Sequence, residues 1–141
     1  EVFSQISKNY NLDFDRIYAV GHSNGSRFVN VLWKMRPEKF AAFVTVAGPG
    51  GIWLKYAPQK SVWISFGKND KIVPYKIQKF SSKQYLKFFE ANESTAQTNG
   101  EITSYQTSEN KEIIIEDRNA GHEFPQNSIP KMVEFLKRNH R

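Results

Sequence analysis

The fold turns on Arg16-Ile17-Tyr18-Ala19-Val20, followed at once by Gly21-His22-Ser23-Asn24-Gly25. The first five residues are short, β-prone and mostly apolar, as expected of a strand buried on both faces. Beyond the glycines, Phe28, Val31, Leu32 and Met35 recur at the spacing of one helix face. That pattern stops before Pro37, which pushes its predecessor away from helical geometry. Residues 16–35 therefore predict a strand, a sharp glycine turn and a helix.

Upstream, Val2, Phe3, Ile6 and Tyr10 fall at helical spacing until Asn11-Leu12-Asp13 breaks the run, so the chain is expected to open inside a helix. Downstream the strand–loop–helix theme recurs. Phe43-Val44-Thr45-Val46-Ala47 reads as a strand and Gly48-Pro49-Gly50-Gly51 as a loop. Ser61 to Phe66 reads as another strand, and Ser82 to Asn92 as a helix with Tyr85, Leu86, Phe88 and Phe89 on its apolar face. Ile113-Ile114-Ile115 centres a strand over 112–117, and Ile129 to Arg138 closes the chain as a helix carrying Met132, Val133, Phe135 and Leu136. Residues 93–110 are polar, and Thr103 to Thr107 reads either as a strand or as part of a long loop. Strands alternating with helices predict an α/β fold, a parallel sheet with helices on both faces, in a single domain over 1–141.

Composition fits that reading. The 141 residues are 39% hydrophobic and 24% charged, which excludes collagen-like and disordered classes. No apolar run approaches the ~20 residues needed to span a bilayer. Glu1 to Ile6 lacks the basic-then-apolar order of a signal peptide. With no cysteine, disulfides, thiolate nucleophiles and thiolate-bound metals are excluded. The net charge of +6 comes from 20 Lys and Arg against 14 Asp and Glu. These lysines are scattered, with mild clusters at 76–87 and at Lys137-Arg138, and read as a solvated surface rather than a nucleic-acid footprint.

In a doubly wound sheet, ligands bind beyond the carboxyl ends of the strands, and three reactive side chains fall there. Ser23 sits in a G-x-S-x-G turn that lifts a serine above the sheet edge, with small residues at 21 and 25 where strand and helix cross. The Asn24 amide, at the following helix start, is placed to meet a developing oxyanion. Asp70 follows strand 61–66 in Asn69-Asp70-Lys71-Ile72-Val73-Pro74-Tyr75, where a carboxylate orients an imidazole or simply satisfies turn amides. His122 follows strand 112–117. Of the other histidines, His140 lies in the tail and His22 beside Ser23 as a pocket wall. Ser, Asp and His in this order, each after its own strand, match the chain order of a nucleophile–acid–base set. Asp13, Asp15, Asp117 and Glu123 read as surface or capping groups. No metal-ligand spacing, phosphate-cradling loop or dinucleotide fingerprint is present, so neither metal nor cofactor is expected.

Gly21 to Gly25, Pro37-Glu38-Lys39-Phe40-Ala41-Ala42 leading to Val46-Ala47-Gly48, Asn69 to Tyr75, and Gly121-His122-Glu123-Phe124-Pro125 together resemble the polyhydroxybutyrate depolymerase and feruloyl esterase family of α/β-hydrolases. The likeness runs from about residue 10 to 137. It implies a serine esterase acting on polyesters, feruloylated or acetylated polysaccharides or small esters, with Ser23, Asp70 and His122 as nucleophile, acid and base. It leans toward a secreted or periplasmic setting. Ser26 replaces a frequent glycine and Phe124 a frequent tryptophan. The family's early strands and its histidine-glycine oxyanion loop have no counterpart after Glu1. The resemblance therefore implies a domain incomplete on its N-terminal side, with one edge of strand 16–20 unpaired. Trp53, Tyr56 and Tyr75 are expected either to line an aromatic pocket or to pack in the core. Two other functions fit the same residues: a serine peptidase of the prolyl-oligopeptidase type, and a non-catalytic binding protein of this fold.

Overall fold

The computed structural model describes residues 1–141. In chain order it contains α1 (Val2–Ile6), β1 (Tyr18–His22), α2 (Asn24–Met35), β2 (Ala42–Val46), β3 (Ser61–Gly67), α3 (Tyr75–Phe88), β4 (Ala91–Asn99), β5 (Ile102–Thr107), β6 (Glu112–Arg118) and α4 (Ile129–Arg138). One six-stranded sheet has the order β1-β2-β3-β6-β5-β4. Its first four strands are parallel, and β5 and β4 extend it as an antiparallel hairpin.

Two apolar layers show why helices cover both faces. On one side Val29 and Trp33 of α2 and Tyr85 of α3 pack with Phe43, Val62, Ile64, Phe66 and Ile113. The Trp33 ring stacks between Phe43 and Phe89, with centroids 4.8 and 4.7 Å away. On the other side Met132 and Phe135 of α4 cover Val44, Val46, Trp63 and Ile114. Every residue of β2 and β3 is buried, as continuous apolar strands inside a parallel sheet should be.

The elements depart from the sequence reading in three places, and in a fourth the structure decides between two open readings. In α2 the inward face is Ser26, Val29, Asn30 and Trp33, whereas Phe28, Val31 and Met35 are exposed. The crossing with β1 fixes that rotation. Ser26 Oγ lies 2.9 and 2.6 Å from the Gly21 and Val46 carbonyl oxygens, either of which its one proton can serve, and a Cβ at Gly21 would lie 2.2 Å from the Gly25 carbonyl oxygen. A helix held so closely at its start turns Trp33, not Phe28, onto the sheet.

The third helix runs over Tyr75–Phe88 instead of 82–92. Its buried positions are Gln78, Ser81, Ser82 and Tyr85, so its first half carries no apolar periodicity. Glu90, at φ +52°, turns the chain into β4. Of the two readings of Thr103–Thr107, the strand is the one observed, as part of a hairpin turning at Gly100 with φ +62°. Finally, β1 pairs only with β2. That leaves its other edge open, and one of its faces is uncovered as well: Ala19 and Gly21 are buried while Val20 is 51% exposed.

Candidate active site

Ser23 occupies the single residue between β1 and α2, with φ +56° and ψ −116°. A non-glycine residue here is strained, by on the order of 1–3 kcal/mol, and such strain persists only where the surroundings over-determine it. They do so through backbone bonds: Ser23 N–H donates to the Val46 carbonyl at 2.8 Å, and Ser26 N–H donates to the Ser23 carbonyl at 3.0 Å. The half-buried Ser23 side chain stands at the carboxyl edge of the sheet. Asn24 is the first residue of α2, where backbone N–H groups lack intrahelical acceptors and point toward any negative charge at the helix start.

Asp70 sits in the loop between β3 and α3 with its side chain fully buried. Oδ1 accepts the Ile72 and Val73 amides, each at 2.8 Å. Oδ2 accepts the Gln78 side-chain amide at 2.9 Å and His122 Nδ1 at 2.8 Å. Burial by itself pushes the Asp70 pKa up, but the bonds from His122, Val73, Ile72 and Gln78 outweigh it and hold the carboxyl below its ordinary value. With Nδ1 donating to a carboxylate, the neutral His122 ring leaves Nε2 as its proton acceptor.

Backbone contacts fix this pairing. The Lys68 amide donates to the Arg118 carbonyl at 2.8 Å, and the Asn69 amide to the Ala120 carbonyl at 2.9 Å. This stitches the loop carrying the acid to the loop carrying the imidazole. Gly67 permits the approach, since a Cβ there would lie 2.2 Å from the Gly121 carbonyl oxygen. On the far side, Arg118 donates to the Glu123 carbonyl at 2.8 Å, and the Glu123 carboxylate accepts the Gly121 amide at 3.1 Å. His22 adds a further tie: its Nε2 lies 2.6 Å from the His122 carbonyl oxygen, and the two rings stand 4.9 Å apart.

The structure thus brings Asp70 and His122 into direct contact, and Ser23 follows directly on His22, whose ring touches the His122 carbonyl. The Ser23 hydroxyl itself makes no hydrogen bond to a protein group. Gln78 and His22 are site residues that the sequence reading missed or treated as wall. Gln78 was hidden because a glutamine in a polar stretch has no pattern. His22, next to the serine, had position but no visible partner.

The remaining candidates fall elsewhere. Asp13 and Asp15 sit at the start of the short helical turn Phe14–Arg16, where Asp13 caps the Asp15 amide. Asp117 accepts a 2.8 Å bond from the Tyr75 hydroxyl on the α3 face of the sheet. His140 is exposed. Trp53 and Tyr56 are 46% and 90% exposed, so neither is core, and Tyr75 is half-buried against Phe66. No group of three His, Asp or Glu side chains is arranged to hold a metal ion. No helix is long and apolar enough to cross a membrane.

A parallel sheet with helices on both faces, a left-handed serine after β1 and an Asp–His pair after β3 and β6 define an α/β-hydrolase fold. Solved structures superpose accordingly. The acetyl xylan esterase of Aspergillus awamori matches with a TM-score of 0.70 at 19% identity, over 95% of this chain and 64% of that one. The Bacillus cereus carboxylesterase matches with a TM-score of 0.62 at 18% identity, over 96% of this chain and 55% of that one. In sequence, the acetylxylan esterase A of Aspergillus oryzae is 38% identical over 60 residues, and a probable acetylxylan esterase A of Aspergillus flavus is 37% identical over 60. Those stretches cover 42% of this chain and 20% of each Aspergillus protein. No family model matches the chain.

Proposed function

We propose that this chain is the triad-bearing part of a serine esterase, with Ser23 as nucleophile, His122 as general base and Asp70 as the acid that orients it. The observation that carries this reading is the 2.8 Å contact between His122 Nδ1 and the fully buried Asp70 carboxylate. A serine at φ +56°, next in sequence to His22, which touches the His122 carbonyl, supports it. His122 Nε2 takes the Ser23 proton as Oγ bonds to the ester carbonyl carbon. The carbonyl π electrons move onto oxygen, where the Asn24 N–H meets the charge. Collapse of that intermediate expels the alcohol oxygen, which takes the proton from His122 and leaves an acyl-serine. Water then repeats the sequence: His122 removes its proton, the carboxylic acid departs, and Ser23 regains its hydrogen. An unengaged Ser23 hydroxyl is compatible with this scheme, because catalytic hydrogen bonds in unliganded sites are often long and tighten with substrate.

The substrate class belongs to the same proposal. Sequence and structural relatives named for acetylxylan favour a small acyl group on a polysaccharide, ahead of the polyester and feruloyl esters of the resembled family. The open side of β1 supports a domain that is completed by a further strand. There Val20, Phe124, Ile129 and Val133 help line an entirely apolar groove of about 210 Å³, and the second oxyanion donor would come with that strand's loop. The test is a fluorophosphonate probe on the full-length protein, with the adduct located by mass spectrometry. Labelling is expected at Ser23 and absent from Ser23→Ala; labelling that survives this substitution rules the assignment out.

A further inference from the structure

The third helix is inside out. Its buried side is Gln78, Ser81, Ser82 and Tyr85, held by polar contacts: Ser81 Oγ accepts the Gly50 and Gly51 amides at 2.8 and 2.7 Å, and Gln78 serves Asp70. The apolar residues Ile77 and Phe80 face solvent instead, 50% and 55% exposed, and Ile72 in the preceding loop is 70% exposed. From Lys71 to Phe89 there are five lysines and no acidic residue. Lys79 is engaged by the Tyr75 hydroxyl and Asp117. Lys71, Lys76, Lys83 and Lys87 are exposed and pair with nothing. Steps of four, three and four residues align Lys76, Phe80, Lys83 and Lys87 along one stripe. Tyr75, Lys76, Lys79, Phe80 and Lys83 enclose a concavity of about 220 Å³, room for an anionic headgroup between the ammonium groups.

We propose that this face of α3 docks onto an anionic lipid bilayer, with Ile72, Ile77 and Phe80 entering the acyl boundary and the free lysines meeting acidic headgroups. Charge alone would suit any polyanion. The exposed apolar side chains decide for a lipid surface, because a hydrated polysaccharide offers them no apolar environment, whereas lysine stems reach from an apolar boundary to the headgroup layer. The helix lies along the surface and does not cross it. This docking is independent of the esterase reading, since binding needs no turnover.

The test is co-sedimentation of the full-length protein with phosphatidylcholine vesicles, with and without phosphatidylglycerol. Binding is expected only with phosphatidylglycerol, weakening as ionic strength rises. Replacing Lys76, Lys83 and Lys87 together by serine should lower partitioning by on the order of 100-fold, at about fivefold per lysine. Phe80→Ser should lower it by roughly tenfold or more through lost apolar burial. Removing three lysines elsewhere, Lys34, Lys39 and Lys131, should cost far less. Equal losses from the two triple variants would reduce the effect to net charge and overturn the proposal. So would equal binding to both vesicle types, binding to polygalacturonate but not to vesicles, or no binding at all. The salt series on the unmodified protein tests the charge dependence without any substitution.

Discussion

Asp70 accepts four hydrogen bonds from within the protein, whereas the Ser23 hydroxyl makes none with protein groups. The acid–imidazole pair is over-determined: two backbone stitches join its loops, and His22, Arg118 and Glu123 brace the loop of His122. The serine is fixed by its backbone alone, at strained torsion angles, on a strand whose outer edge is open. In the proposed mechanism the base must keep one ring tautomer aimed through the cycle, and redundant ties fit that need. The proposed nucleophile must stay free to meet the substrate, and a side chain held only through its backbone fits that need.

The sharpest way to break this contrast is to substitute His122 and Asp70, the proposed base and acid, separately. His122→Ala is expected to lower ester turnover by on the order of 10⁴- to 10⁶-fold, and Asp70→Asn by roughly 10⁴-fold. The asparagine amide keeps the shape but presents N–H toward Nδ1, so the ring proton moves to Nε2, where the Ser23 proton must be accepted. Steady-state rates on a small acetyl ester compare the two. A harmless Asp70→Asn beside a damaging Asp117→Asn would place the acid wrongly.

A smaller effect separates the redundant ties of the acid. Gln78→Ala removes one of four donors to an ionised carboxylate and should destabilise the fold by about 1.5–3 kcal/mol at neutral pH. Because the Asp70 pKa lies below its ordinary value in the folded state, its ionised form stabilises the fold at pH above the unfolded-state pKa. That contribution is lost as pH falls through the depressed folded value. Parent and variant should therefore converge in acid, apart from a remainder due to lost packing. Urea unfolding across pH reads this, and a constant gap down to the acid limit would show that Gln78 acts through packing alone.

What was legible in the sequence follows the same division. The strands at 43–47 and 61–66 and the glycine turn were readable because apolar runs and close backbone crossings leave local signatures. The start of α3 was not, because its inward face is Gln78, Ser81 and Ser82, residues made acceptable only by partners at Asp70, Gly50 and Gly51. The inward face of α2 was misread because apolar residues lie on both sides of it, and the choice between Phe28 and Trp33 is made by the crossing at Gly21 and Ser26. The β4–β5 hairpin is polar and half-exposed at the sheet's far edge, so its strands carry little alternation. Contacts such as His22 with the His122 carbonyl join residues 100 positions apart and have no local signal at all.

The smallest expected effect tests the open side of the serine's strand. Val20 is 51% exposed on β1, beside an apolar groove that α4 leaves uncovered. In the 141-residue chain, Val20→Ser removes little buried surface and should change stability by no more than about 0.5 kcal/mol. If a further strand covers β1 in a longer form of the protein, Val20 becomes core there, and the same change should cost about 1–3 kcal/mol through lost burial. The comparison needs only thermal or urea unfolding of both forms, with and without the substitution. Phe43→Ala serves as the control, since Phe43 is fully buried in either case and should be costly in both. An equally small effect of Val20→Ser in both forms would mean that nothing covers β1, and the second oxyanion donor would then have to be sought among loops of this chain.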